Sequence, residues 1–174
     1  RRRLTAEEVR DTVLSVSGKL DRTMYGAGFQ LFILEHPEHS PHYEYDKHDP
    51  DDPTSHRRSI YRFIARSQPD PFMTTLDCAD SSQSVPRRDE TVTALQALSL
   101  LNNKFMLRMA EHFAEHLTNI ASVQSVQIDH ALQLATGRQP TSEQLTMLTE
   151  YVNEFGMENL CRLLFNLNEF VFVD

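Results

Sequence analysis

Apolar residues recur at helical spacing through the second half of the chain. In the segment 91–102 the apolar stripe consists of Val92, Leu95, Leu98 and Leu101. Alanine and leucine fill other faces of this segment, so it predicts a helix that is buried on most sides. Amphipathic patterns over residues 104–119, 122–137, 141–156 and 157–170 predict four further helices, and the chain end, VFVD, is expected to be extended.

Capping signals mark the beginning of two predicted helices. Thr5 and Glu8 have the spacing of a capping box, and Thr141 and Gln144 repeat that spacing later in the chain. The apolar stripe of the N-terminal helix consists of Val9, Val13, Val16 and Leu20. Gly137 is placed where a glycine commonly ends a helix.

The least helical part of the chain runs from residue 21 to residue 57. It contains four of the eight prolines and a run rich in histidine and aspartate. We therefore predict a long, mostly irregular insertion, with FQLFIL (29–34) as a short strand. The next segment, RRSIYRFIARS (57–67), fits one helix face or a strand, and its β-branched and aromatic residues favour an extended conformation.

These patterns together predict a mainly α fold. We expect a single domain over residues 1–174, with about five longer helices and one irregular insertion at 21–57. The extended segments leave room for one minimal strand pairing, between residues 59–64 and 170–173. The small number of glycines and prolines argues against a turn-rich β-sandwich.

Composition and charge exclude several classes of partner. The formal net charge is −8, which disfavours binding to nucleic-acid phosphate. No run of 18 apolar residues occurs, so we expect no membrane insertion. The chain begins RRRLTAEEVR, with neither an initiator methionine nor a signal peptide, and we expect it to be a piece of a longer polypeptide.

The two cysteines, Cys78 and Cys161, lie far apart in the sequence. They form neither a C-x-x-C motif nor a zinc-binding or haem-attachment pattern. A disulfide and two separate thiols both fit this spacing. Because free cysteine packs as a small hydrophobe, two buried thiols are favoured.

Three motifs and the N-terminal segment carry a family resemblance. The motifs are RRSIYRFIARSQPDPFMTTLDCAD, SVPRRDETVTALQALSLLNN and LCRLLFNLNEFVFVD, and the N-terminal segment is RRRLTAEEVRDTVLSVSGKLD. The sequence resembles a planctomycete-specific, cytochrome-associated domain family of unknown function. The resemblance covers nearly the whole chain and is weakest across residues 21–52. Many relatives carry cysteine where this chain has Val85, so a redox role for that position is not transferred.

The resemblance implies a setting and not a reaction. It implies a C-terminal domain of a large exported, periplasmic protein, preceded by a c-type cytochrome-like domain and by a companion domain also of unknown function. Haem is implied only for that separate upstream domain, and no cofactor is expected in this chain. The implied partners are the upstream domains of the same polypeptide and, from an occasional neighbouring module, carbohydrate.

The main candidate site surrounds the beginning of the helix at 91–102. Its polar residues are Asp77, Asp80, Arg87, Arg88, Gln96 and Asn102. Asp77 and Asp80 would supply the carboxylate pair that glycoside hydrolysis requires. Arg87 and Arg88 are close enough in sequence to neutralise them, which favours a structural brace. We predict the brace first and a docking surface second, with one threonine of TVT as the helix N-cap.

Two histidine-containing segments are candidate metal sites. In HFAEH, His112 and His116 would share one helix face as zinc ligands and Glu115 would activate a water. The alternative is the solvated side of an amphipathic helix. The insertion holds His36, His39, His42, His48 and His56, with Asp46, Asp49, Asp51 and Asp52 among them. No standard ligand spacing occurs there, so a solvated acidic loop is favoured and no metal is assigned.

The sequence therefore supports two hypotheses about function. The first is a non-catalytic accessory or interaction module of a larger exported, cytochrome-linked protein. The second is a hydrolase of polysaccharide or peptide, metal-assisted through His112, Glu115 and His116. Nucleotide-binding glycine loops and the serine-hydrolase elbow do not occur in the sequence.

Overall fold

The chain folds into eight helices and two pairs of short antiparallel strands within residues 2–36 and 40–173, which the computed structural model describes. The helices are α1 (Ala6–Val16), α2 (Pro71–Thr75), α3 (Ala94–Asn102), α4 (Lys104–Ile120), α5 (Gln124–Thr136), α6 (Ser142–Phe155), α7 (Met157–Phe165) and α8 (Asn168–Val171). The strands are β1 (Arg2–Arg3), β2 (Ile33–Glu35), β3 (His42–Glu44) and β4 (Phe172–Val173). This confirms the predicted mainly α class. In the described ranges no helix has both the length and the apolar composition required to cross a membrane.

The strand pairing joins the two ends of the described chain. β1 is antiparallel to β4, with Arg3 opposite Phe172. The predicted pairing of residues 59–64 with 170–173 is wrong. Residues Ser59–Tyr61 form a 3₁₀ turn instead, because the amide of Arg62 donates to the carbonyl of Ser59 and closes the backbone on itself.

The predicted helix caps are present in the structure. The Thr5 side chain accepts from the amide of Glu8, whose carboxylate accepts from the Thr5 amide in return. Thr141 and Gln144 form the same reciprocal pair at the beginning of α6. α5 ends at Gly137, whose φ of +75° is in the left-handed region that glycine adopts without steric cost. These local hydrogen bonds fix where the helices begin and end.

One hydrophobic core lies between α4, α7, α1 and α5. Phe113 of α4 stacks on Phe165 of α7, with ring centroids 5.8 Å apart, and Phe165 also contacts Phe170. Burying an aromatic side chain of this kind stabilises the fold by about 1.5–3 kcal/mol. The core thus holds α4 against α7 through these aromatic contacts.

The insertion at 21–57 packs against this helical core. Apart from β2 and β3, its described regular structure consists of the 3₁₀ turns Tyr45–Lys47 and Pro53–His56, so the expectation of a mostly irregular segment is confirmed. The expectation of a solvated acidic loop is wrong for the part nearest the core. The ring of His56 is buried and contacts the carbonyl of Pro50 at 2.8 Å. FQLFIL contributes to β2 only through its last two residues.

Cys78 and Cys161 are both free thiols. Cys161 is fully buried in α7, and Cys78 is half-buried. The prediction of two separate thiols is confirmed, and its expectation of burial holds fully for Cys161 only. Burial raises the pKa of both thiols above the ordinary value for cysteine.

Candidate functional site

Asp77 is the centre of a polar cluster that ties the N-terminal strand to the beginning of α3. Its Oδ2 accepts from Arg3 Nη1 at 2.5 Å, from the Thr91 amide at 2.8 Å and from Gln96 Nε2 at 3.0 Å. The Thr91 hydroxyl donates to the same carboxylate at 2.9 Å. Arg3, Asp77, Thr91 and Gln96 are called the Asp77 cluster below. It connects residues from three separate parts of the sequence.

The local backbone positions these side chains. α2 ends just before Asp77, which has a φ of +62°, a conformation that aspartate tolerates better than most residues. Thr93 is the N-cap of α3. The side-chain Oε1 of Gln96 accepts from the backbone amide of Thr93, and the side-chain Nε2 of Gln96 donates to Asp77. Gln96 therefore links the helix cap to the carboxylate. The prediction that TVT supplies the N-cap is confirmed at Thr93.

The electrostatics of the Asp77 cluster favour the ionised carboxylate. Burial alone would raise the pKa of Asp77, but hydrogen bonds from Thr91 and Arg3 outweigh it and lower the pKa below its ordinary value. Arg3 is buried and also donates to the carbonyl of Thr91 at 2.5 Å. Asp77 and Arg3 thus form a partly buried, charge-assisted pair, which is stronger than a neutral hydrogen bond.

The predicted brace between Arg87 or Arg88 and the two aspartates is wrong. Arg88 donates instead to Glu7 Oε2 of α1 at 2.6 Å, and Arg87 is exposed. Asp80 accepts from Ser82 and Gln83 within its own turn. The cation that reaches Asp77 comes from β1, because the β1–β4 pairing brings Arg3 next to the end of α2. Arg3 is 74 residues from Asp77, so proximity in the sequence does not indicate this pair.

Asn102 lies at the other end of α3, apart from the Asp77 cluster. Its Nδ2 donates to the carbonyl of Leu98 at 3.1 Å, and its Oδ1 accepts from Arg162 of α7 at 2.9 Å. Arg162 also donates to the carbonyl of Leu101. The six predicted site residues therefore separate into one cluster around Asp77 and several independent contacts. Asp77 and Asp80 accept their hydrogen bonds from different residues.

The apolar side of α3 faces away from the core. In α3, Leu95 is 71% exposed and Leu98 54%, while only Gln96 and Leu100 are buried. Val92, which precedes the N-cap, is 78% exposed. The prediction of a helix buried on most sides is wrong. We call the exposed apolar set the α3 face; it comprises Val92, Ala94, Leu95, Ala97 and Leu98.

The HFAEH segment does not gather its histidines around a common point. His112 is buried, with Nε2 2.6 Å from Asp51 Oδ1 and Nδ1 3.0 Å from Glu115 Oε2. His116 Nδ1 contacts the carbonyl of Val16, at the end of α1, at 2.9 Å. The alternative of a solvated helix side is also wrong for His112. Its contacts fasten the insertion to α4.

The histidines of the insertion are dispersed as well. His36 and His42 are exposed, His48 is half-buried, His56 is buried, and His39 lies outside the described residues. Asp52 caps the turn at Pro53–His56 and Asp51 pairs with Arg108 of α4. Across residues 2–36 and 40–173, no group of three histidine, cysteine or acidic side chains is placed to hold a metal ion.

Arg10 is the residue that sequence reasoning missed. It is 2% exposed, and its guanidinium donates to the carbonyls of Ser55 and Arg57 and to the hydroxyl of Ser59. It also lies over the rings of Phe29 and Phe105. Arg10 is four residues after Ala6 and four before Leu14, so the three residues share one helix face. Because Ala6 and Leu14 are apolar, this spacing was the signal in the sequence that Arg10 is buried. An arginine on the inner face of a helix holds the insertion against α1.

Comparison with known proteins places the chain in a family. No curated protein and no solved structure is significantly similar to it. The model of one family, described as a protein of unknown function (DUF1553), matches residues 1–152. The match includes the Asp77 cluster, the α3 face and Arg10. Because it covers well over half of the sequence, the chain belongs to the PSD1 (DUF1553) family of proteins of unknown function.

Proposed function

We propose that this domain is a non-catalytic interaction module and that the α3 face is its binding surface. The exposure of Leu95 and Leu98 on one side of α3, with Val92 exposed just before the helix, carries the proposal. Contiguous apolar surface of this kind, rimmed by polar residues, is typical of protein interaction sites. The segment before α3 also carries exposed charged residues, among them Arg87 and Asp89.

The α3 face is held in place by contacts on the other side of the helix. Near the beginning of α3, Gln96 forms a hydrogen bond with Asp77, and at the end of the helix Asn102 forms a hydrogen bond with Arg162. Leu100, between them, is buried in the core. A surface that is ordered before binding loses less conformational entropy when a partner arrives. The arrangement therefore suits a preformed recognition surface.

The proposed partner is an apolar protein surface on a companion domain of the same polypeptide. The α3 face offers valine, leucine and alanine without a charged side chain, so a partner must bury apolar groups against it. The family resemblance supplies the companion domain. The exported, cytochrome-linked setting, the upstream haem domain and the carbohydrate partner remain predictions from that resemblance.

A binding measurement between separately expressed domains tests the proposal. We expect Leu95→Glu or Leu98→Glu to weaken binding of the companion domain at least about tenfold, since each would bury a charge against apolar surface. Met147→Glu on α6 is the matched control, because Met147 is likewise exposed, at 61%. Circular dichroism should show all three variants folded, since exposed positions usually change stability by no more than about 0.5 kcal/mol.

Two outcomes would contradict this function. The companion domain could fail to associate with the wild-type chain at high micromolar concentration, or it could bind Leu95→Glu as well as wild type. Sedimentation of the 174-residue chain alone is the second measurement. A dimer that Leu95→Glu dissociates would assign the α3 face to a second copy of this chain instead.

A further inference from the structure

A pocket lies between the insertion and the first turns of α2 and α4. Its volume is about 120 Å³, which approaches the ~150 Å³ of an engineered cavity that binds benzene. Phe72 and Phe105 line it with aromatic surface, and their ring centroids are 5.9 Å apart. Arg10 and Asp70, both buried, also form part of its wall. It shares no lining residue with the α3 face.

Arg10 supplies this pocket with a cation that lacks a hydrogen-bonded carboxylate. The nearest acidic oxygen, Asp11 Oδ1, is 3.7 Å from Nη1 and accepts from the amide and hydroxyl of Ser59. A guanidinium has five N–H donors, of which three donate to neutral oxygens, and the other two have no acceptor among the described residues. Burial lowers the pKa of Arg10 to about 10, so it stays cationic at neutral pH. Buried charges are ordinarily paired, and this one has room beside it for an anion.

The acidic groups near the pocket are engaged elsewhere. Asp70 caps α2 by accepting from the amides of Phe72 and Met73, and its Oδ2 is 3.9 Å from Arg62. Burial raises the pKa of Asp70 above its ordinary value, against the opposing effect of Arg62. Asp46 also lines the pocket but is exposed to solvent. None of these carboxylates neutralises Arg10 by direct hydrogen bonding.

His48 and Lys104 add donors at the same pocket. The Nε2 of His48 is buried and has no hydrogen-bond partner among the described residues. Burial lowers the pKa of His48, so its imidazole is neutral at neutral pH and offers one N–H. Lys104 is exposed, and its Nζ donates to the carbonyl of His48 at 3.1 Å. The pocket is thus lined both by hydrogen-bond donors, on Arg10, His48 and Lys104, and by the aromatic rings of Phe72 and Phe105.

We propose that this pocket binds a small organic anion with a ring-sized apolar body, such as an aromatic carboxylate. The carboxylate accepts from Arg10 and His48, with Lys104 adding charge at long range. The apolar body contacts Phe72 and Phe105. The proposal is independent of the α3 face and would make the domain a receptor for a small molecule as well as for a protein.

Titration of the wild-type chain with sodium benzoate, followed by two-dimensional amide NMR, tests the proposal. Benzyl alcohol is the neutral probe of similar size, and acetate is the anion without a ring. We expect benzoate to cause saturable chemical-shift changes in the amides of residues 45–56 and 103–106. Both other probes should bind at least about tenfold more weakly, because benzyl alcohol lacks the carboxylate and acetate lacks the ring.

Two variants locate the binding without removing the structural Arg10. Leu31→Trp places a larger side chain in the pocket wall and should abolish benzoate binding. Lys104→Met should weaken it about threefold or more, whereas Lys19→Met, a matched charge change outside the pocket, should leave it unchanged. Equal binding of benzoate and benzyl alcohol would overturn the anion assignment. Absence of saturable shifts, or shifts that persist in Leu31→Trp, would overturn the site itself and leave a water-filled pocket.

Discussion

Replacing Asp77 tests the contact on which the position of α3 depends. Asp77→Gly removes the carboxylate while keeping the φ of +62° free of steric cost, and Asp77→Asn keeps a hydrogen-bonding oxygen but removes the charge. In both variants Arg3, whose side chain is 6% exposed, loses its carboxylate partner. The pair of variants separates the loss of charge from the loss of the whole side chain.

The structure sets the size of the effect. Removing one partner of a buried ion pair costs about 3–5 kcal/mol. Asp77 keeps 15% side-chain exposure and Arg3 retains the Thr91 carbonyl as an acceptor, so the low end applies. We expect a loss of about 3 kcal/mol for Asp77→Gly and about 1–2 kcal/mol for Asp77→Asn, which still accepts from Thr91.

Urea unfolding followed by far-ultraviolet circular dichroism measures both variants. With an m-value of about 2 kcal/mol per M urea, a loss of 3 kcal/mol lowers the midpoint by about 1.5 M. A double-mutant cycle of Asp77→Asn with Arg3→Met should show coupling of about 1 kcal/mol or more. If Asp77→Gly unfolds at the wild-type midpoint, or if the coupling is zero, the Asp77 cluster does not stabilise the fold.

The same pair gives a pH dependence with a defined sign. The pKa of Asp77 is lowered in the folded state, so its ionisation stabilises the fold above the unfolded-state pKa of about 3.9. That contribution is lost as the pH falls through the folded-state pKa. The stability difference between wild type and Asp77→Asn should therefore narrow as the pH is lowered below about 4. A difference that stays constant across this range would show that the charge of Asp77 is not involved.

Three further predictions follow from other contacts. Arg87→Ala should change stability by less than about 0.5 kcal/mol, because Arg87 is exposed. Arg88→Ala should change it by about 0–1 kcal/mol, because the Arg88 side chain keeps 44% exposure in its ion pair. A loss of about 2 kcal/mol or more in the free energy of unfolding, measured by urea denaturation of either variant, would instead support a buried brace. Cys161 should react with a thiol reagent at pH 8 at least about tenfold more slowly than half-buried Cys78, since thiolate formation and access both decide the rate; equal rates in the folded protein would contradict its burial. His112→Ala should cost about 1–3 kcal/mol by removing the contact to Asp51, and amide hydrogen exchange should accelerate in residues 49–56; unchanged exchange would show that His112 does not fasten the insertion.

The sequence by itself determined most of the longer helices and several of their ends, but not the short helix α2 or the division of the predicted helix at 157–170 into α7 and α8. A capping box such as Thr5 with Glu8 is a contact between residues three apart, so its geometry follows from the local chain. The same holds for Gly137, where the glycine conformation that ends the helix is local. The mainly α class and the irregular insertion followed from periodicity and proline content. Membership of a family of unknown function was also recognisable from short sequence motifs.

The tertiary structure alone decided which charges meet and which apolar surface stays exposed. Arg3 and Asp77 are 74 residues apart, and no local rule distinguishes Arg3 from the arginines beside Asp80 as the partner. The stripe through Leu95 predicts an apolar helix side, but the same pattern arises whether that side meets the core of this chain or a separate surface. Arg10 is the opposite case, a charged residue that is buried although its type predicts exposure. Its side chain can enter the core because the insertion supplies carbonyl oxygens that accept its hydrogen bonds. Burial and long-range pairing depend on how the whole chain packs, which is why they lay beyond the reach of periodicity and spacing.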